Sequence, residues 1–263
     1  MAGRRSSRID AAAQLWRKRL QLESHMQNTQ RHLTISARFN GPPGSGNGGV
    51  SSGLAASLID GPAEIFLRAP PPLETPMDVI PLEDGSFEIR QDGQLVMTAH
   101  PADPLGPPPP APSFATASQG REAFPSRDSH AFPSCFVCGP DRTEDGLCLF
   151  TGHTEGFDGV TDTWTPAADL ADEDGLIRPE IIWGALDCPG AFAVGFQENP
   201  MVLARITGQI HARPKAGDPL IVAGWGLYHD GRKHGAATAL FDKDGTLLAQ
   251  SDQLWIELKK SAA

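Results

Sequence analysis

The sequence carries one plan twice, and that repeat limits the chain to folds assembled from two like units. "APPPLETPMDV", residues 69–79, corresponds to "ARPKAGDPLIV", residues 212–222: a strand ends, prolines or a glycine turn the chain, and the next strand begins. "QDGQLVMTA" at 91–99 corresponds to "KDGTLLAQS" at 243–251, with Asp92-Gly93 matching Asp244-Gly245. Extended segments surround these anchors: "AEIFLRA", "MDVIPL", "SFEIR" and "LVMTAH" in the first half. The second half has "GLCLFTG", "GFDGVTDTW", "VLARITGQIHA", "PLIVAGWGLYH", "HGAATALF" and "TLLAQSDQLWIEL". Their period-two or continuously apolar character is that of strands, and the Gly-bearing turns "HDGRK" and "DKDG" join the last three as hairpins. Each half also holds one helix: the small-residue end of "GPPGSGNGGVSSGLAASLI", and "PEIIWGALDCPGAFAVGF". A strand, a helix and four antiparallel strands form a unit whose concave sheet can wrap the helix and bury it. The class expected is α+β.

From Pro101 to Pro112 seven of twelve residues are proline, which makes a stiff, exposed connector between the halves. Ahead of the repeat, Ile9, Ala12, Ala13, Trp16 and Leu20 share one helical face. The expected organisation is a helical arm at 1–30, one unit at 31–103, a Pro-rich linker at 104–132 and a second unit at 133–260. With 40% hydrophobic and 21% charged residues, the composition is that of a globular protein with a substantial core. A net charge of -10 and pI near 5.2 exclude broad nucleic-acid binding, which needs a basic footprint. No stretch approaches a transmembrane span, and the N-terminus lacks the apolar core of a secretory signal, so the expected place is the cytoplasm. Four cysteines in 263 residues are no disulfide framework, and reduced thiols fit that compartment.

The second helix poses the chemical question. Asp187 sits among Ile181, Ile182, Trp183, Leu186, Cys188, Ala191 and Phe192. A buried carboxylate needs a partner, a solvent channel or a task. On these residues the chain resembles the hotdog-fold thioesterase superfamily, over roughly 31–103 and 133–258, as two tandem hotdog units packed as an intramolecular double hotdog. In that superfamily a glycine loop opens the central helix, a carboxylate commonly follows about nine residues on, and the active site uses the loop of one unit with the carboxylate of another. Here the first half keeps the loop, Asn47-Gly48-Gly49, but has Ala56 at the carboxylate position. The second half keeps Asp187, but has Arg178-Pro179-Glu180 where the loop belongs. The resemblance therefore implies one composite site per chain.

Hydrolysis of an acyl thioester builds negative charge on the carbonyl oxygen, which backbone donors at a helix N-terminus can stabilise. Gly49 is the expected N–H donor, Gly48 permits close approach, and Asn47 caps the helix or orients the thioester. Asp187 would act as general base or as nucleophile. Trp183 and Phe192 are the expected walls of the acyl pocket. The substrate implied is an acyl-CoA or acyl-carrier-protein thioester, with no cofactor beyond CoA as part of substrate, and a homodimer or higher assembly is open. Arg205, Arg213, Lys215, Arg232 and Lys233 are candidates, by position in the chain alone, to meet CoA phosphates.

Three other readings compete. Cys135-Phe136-Val137-Cys138-Gly139 is half of a zinc ligand set, which His130, Cys148 or His153 could complete, but no second pair follows and no metal is expected. A hydratase or dehydratase on this scaffold should pair an Asp with a His, and "LDCPGAFAVGFQE" has no histidine. A non-catalytic acyl-thioester-binding or dimerisation module would explain why each half has lost a motif.

Overall fold

A computed structural model describes residues 31–125, 127–143 and 145–259; the expected N-terminal arm lies outside these residues. By contacts the chain divides into a unit at Met1–His32 and a compact unit at Leu33–Ala263. The strands are β1 (Arg31–Leu33), β2 (Ala63–Leu67), β3 (Met77–Pro81), β4 (Phe87–Gln91), β5 (Gln94–Pro101), β6 (Gly152–Thr154), β7 (Phe157–Trp164), β8 (Met201–Ile210), β9 (Leu220–Asp230), β10 (Lys233–Asp242) and β11 (Leu247–Glu257). The α-helices are α1 (Gly48–Ala56), α2 (Phe114–Gln119) and α3 (Pro179–Ala193).

From β3 the sheet runs β3-β4-β5-β2-β8-β11-β10-β9-β7-β6, with antiparallel neighbours throughout. Outward from the β2–β8 junction, one side reads β2, β5, β4, β3 and the other β8, β11, β10, β9. The strand order is thus symmetric about the middle of the sheet. The junction pairs Ala63 with Gly208 through Phe66 with Arg205. Glu64 fastens it by accepting from Arg205 at 3.1 Å and Thr207 at 3.2 Å. The Asp-Gly turns form as expected: Asp92 and Gly93 both take positive φ between β4 and β5, and Asp242 Oδ1 accepts from the Asp244 and Thr246 N–H groups before β11.

Helix α3 begins with Pro179 at its first position, where the missing N–H costs nothing. Residues Ile181 to Phe192 are all buried, so this helix is apolar all round and enclosed rather than amphipathic. Fully burying side chains such as Ile181, Ile182 and Leu186 contributes roughly 1.5–3 kcal/mol each. Helix α1 packs directly on α3, and glycine makes that approach possible. A Cβ at Gly49 would fall 2.5 Å from Asp187 Cβ and 2.5 Å from the Trp183 carbonyl oxygen, and one at Gly53 would fall 2.5 Å from Glu180 Cα.

The structure departs from expectation in "GLCLFTG", where the strand begins only at Gly152. The preceding residues give their N–H groups elsewhere: Leu147 to the Phe136 carbonyl, Leu149 to Val137, and Phe150 to the Asp162 carboxylate. Cys148, with φ of 51°, breaks the extended run between them. The Pro-rich tract is free of helix and strand after Pro101, as expected, and leads into α2. Just beyond α2, Arg121 binds the buried Asp162 of β7 at 3.0 Å.

Candidate active site

Asn47 ends the loop "GPPGSGN" and caps α1, its Oδ1 accepting from the Val50 N–H at 2.9 Å. With Oδ1 committed inward, its Nδ2 points across to α3 and donates to Asp187 Oδ2 at 2.7 Å. The Gly49 N–H donates to the same oxygen at 3.0 Å. The other oxygen, Asp187 Oδ1, is buried and has no hydrogen-bond partner among the described residues. Loop and acid from opposite halves therefore meet.

Asp187 is 2% exposed. Burial, reinforced by the charge of Cys135, pushes its pKa up to about 7 against the pull of the Gly49 and Asn47 donors. The carboxylate lies on the wall of a cavity of about 500 Å³ with Asn47, Gly48 and the Gly41–Gly46 loop beside it. Much of the remaining lining is apolar, with Phe132, Phe192, Phe196, Met201, Leu203 and Trp255 prominent. Phe196 stacks obliquely on both Phe132 and Phe192, which gives that wall a rigid aromatic surface.

The expected site residues do not all fall in the same place. Asn47, Gly48, Asp187 and Phe192 line the cavity. Gly49 lies behind it with its N–H spent on Asp187. Gly48 opens α1 on the cavity side, and among the described residues its N–H has no partner. Trp183 is not in the cavity wall: its ring packs against Gly53 and Gly208, filling the gap that those two glycines leave between α1, α3 and β8. Arg178 and Glu180 pair with each other at 3.5 Å. Of the expected phosphate-binding cations, Arg205 pairs with Glu64 and Arg213 with Asp172, while Arg68 lines the cavity unforeseen.

Sequence reasoning missed two further features. Gln253 on β11 donates to the Leu186 carbonyl at 2.5 Å and accepts from Trp255 Nε1 at 2.7 Å, joining the helix before Asp187 to the cavity wall. The period-two pattern of "QSDQLW" could have placed Gln253 on the inner face. Beside the carboxylate, Cys135, Cys138 and Cys188 are all buried, with their sulfurs within 4.8 Å of one another. Hydrogen bonding with the Cys138 and Cys188 thiols holds Cys135 well below the usual thiol pKa. Burial foremost raises Cys138, and its hydrogen bond to Cys135 foremost raises Cys188, so the three thiols are pulled in opposite directions. His130 stands apart, its Nδ1 accepting from the Phe132 N–H and its pKa lowered by burial.

No protein-family model matches the chain, and no curated protein matches it. Solved structures do. The tesB protein of Mycobacterium avium subspecies paratuberculosis is 17% identical, with a TM-score of 0.53 over 83% of this chain and 89% of that one. A candidate thioesterase from Novosphingobium aromaticivorans is 17% identical, with a TM-score of 0.56 over 87% and 95%. A conserved protein of unknown function with a hotdog fold, from Alicyclobacillus acidocaldarius, is 12% identical, with a TM-score of 0.54 over 89% and 95%. The fold is that of the hotdog proteins, and the resemblance to their thioesterases extends over most of the chain. No helix among the described residues is long and apolar enough to cross a membrane.

Proposed function

We propose that this protein is an acyl-thioester hydrolase, built as a double hotdog with units at 31–103 and 133–260 and one composite site per chain. The observation that carries the reading is the pinning of Asp187 Oδ2 by Asn47 and Gly49 on the wall of an apolar cavity, with Oδ1 left unpartnered. In the proposed reaction Asp187 takes a proton from water as the water oxygen attacks the thioester carbon. The carbonyl oxygen gathers charge against the unpartnered Gly48 N–H at the positive end of α1. Collapse breaks the C–S bond, and the proton returned from Asp187 leaves with the thiol. A base with a pKa near 7 is matched to work at neutral pH. Gly49, expected from the sequence as the oxyanion donor, instead holds the carboxylate in place. The acyl chain would lie along Phe132, Phe192 and Phe196, with Arg68 at hand for the phosphates of CoA or of a carrier-protein arm.

No histidine lines the cavity among the described residues, so the Asp–His pair of a hydratase is not assembled there. The test is steady-state hydrolysis of acyl-CoA thioesters across chain lengths by wild type and Asp187→Asn. The expected loss is about 100- to 10,000-fold. Equal rates would remove Asp187 from the reaction. Binding of acyl-CoA without turnover of any substrate would replace this reading with that of a binding module. A single turnover in ¹⁸O-water bears on the two roles of the acid: base catalysis labels only the product carboxylate, whereas an anhydride opened by water at the Asp187 carbonyl labels Asp187 on its first cycle.

A further inference from the structure

We infer that Cys135, Cys138 and Cys188 form a binding site for a thiophilic divalent metal, zinc foremost, whose fourth coordination position faces the substrate cavity. The inference does not rest on the thioesterase reading. It rests on where the fold puts three sulfurs. Cys135 and Cys138 come from the turn between the Pro-rich segment and β6, Cys188 from the middle of α3, and Cys135 Sγ lies 3.9 Å from Cys188 Sγ. A tetrahedron with zinc–sulfur bonds of about 2.3 Å has edges of roughly 3.8 Å, so Cys135 and Cys188 already stand near the separation that a shared ion would give them, with the Cys138 sulfur within 4.8 Å of both.

The turn has the form such an ion favours. The Gly139 N–H closes the turn onto the Cys135 carbonyl at 2.9 Å. Gly139 is needed there, since a Cβ would fall 2.4 Å from the Pro133 carbonyl oxygen and 2.5 Å from the Cys135 nitrogen. Asn47 Nδ2 lies 3.8 Å from Cys135 Sγ and 3.9 Å from Cys188 Sγ, so the amide that holds Asp187 also faces two sulfurs with its hydrogens. Among the described residues this close group comprises three cysteines, all lining the cavity. Asp187 Oδ2 lies 4.0 Å from Cys188 Sγ, but that oxygen is engaged by Asn47 and Gly49. Three protein ligands with one position left open is the arrangement of a reactive rather than a purely structural zinc site. Coordination would release the thiol protons to solvent and leave the fourth position for water or a small thiol entering through the cavity.

The test is cobalt(II) titration of the full-length protein, reduced with a phosphine, stripped with a chelator and kept under inert gas. The expected result is a thiolate-to-cobalt charge-transfer band that saturates at one equivalent and is abolished by zinc. Cys138→Ser should lose the band with an unchanged near-ultraviolet circular dichroism spectrum. Cys148→Ser should keep it, because Cys148 Sγ turns away to the Arg142 carbonyl. No band at one equivalent, or a band indifferent to Cys138→Ser, would overturn the site. Millimolar 2-mercaptoethanol should shift the cobalt bands through the open position, and an unchanged spectrum would overturn the open fourth ligand. None of these readouts depends on hydrolysis, so the metal site and the proposed reaction can fail separately.

Discussion

Helices α1 and α3 hold corresponding places in the two halves yet differ in nearly every local feature. The first is nine residues of Gly, Ser, Ala, Val and Leu, capped by a side chain and free of acid. The second is fifteen residues, has Arg178 at its N-cap with no side-chain cap, and carries Asp187 where Ala56 stands in the first. The short helix offers amide donors and glycine thinness, and the long one offers bulk and a single carboxylate. Because they pack face to face, the proposed site would need the donors from only one and the acid from only the other. On that proposal each half can lack a motif without emptying the cleft.

The contrast can be broken most severely at Gly49. A methyl group there meets Asp187 Cβ and the Trp183 carbonyl at once, so Gly49→Ala must push the helices apart. The expected cost is up to about 3 kcal/mol in denaturant unfolding, with loss of the Asp187 contact. Unchanged stability would mean that the helices are less closely fitted than described.

A second contrast lies in the outer strands of the two halves, since Arg121 of the linker clamps β7 through the buried Asp162. Burial raises the Asp162 pKa to about 6, against the pull of Arg121. The native state therefore holds this proton where the unfolded chain, near 3.8, has lost it. Stability from this group is present below about pH 4 and lost as pH rises through about 6, on the order of 3 kcal/mol in all. Unfolding free energies followed from pH 4 to 7 should show that slope in wild type and a shallower one in Asp162→Asn. Identical slopes would place Asp162 in contact with solvent.

The smallest of these effects is expected at Asn47. Asn47→Ala removes the cap of α1 and one donor to Asp187, for about 1 to 2 kcal/mol in thermal unfolding. A shift within error would mean that α1 is held by packing alone.

Much of this was legible in advance because the repeat anchors the alignment of one half on the other. Asn47-Gly48-Gly49 and Asp187 could be matched by counting nine positions, and the hairpin turns announced themselves as Asp-Gly. What stayed hidden depended on side-chain direction or distant pairing. Trp183 and Phe192 both lie on α3, but only coordinates show that Trp183 turns into the glycine-lined gap and Phe192 into the cavity. The segment before Gly152 has the apolar character of a strand, yet its N–H groups are drawn to the cysteine turn and to Asp162. Cys188 gave no signal of its own as a partner for Cys135, because their proximity arises from packing across 53 residues.

The central claim is that a donor loop and an acid from different halves act as one unit, and a double-mutant cycle measures that directly. Thioester hydrolysis would be compared in wild type, Asn47→Ala, Asp187→Asn and the double variant. The account predicts strong coupling, with the double variant scarcely slower than Asp187→Asn alone. Losses that multiply, as for independent residues, would contradict it.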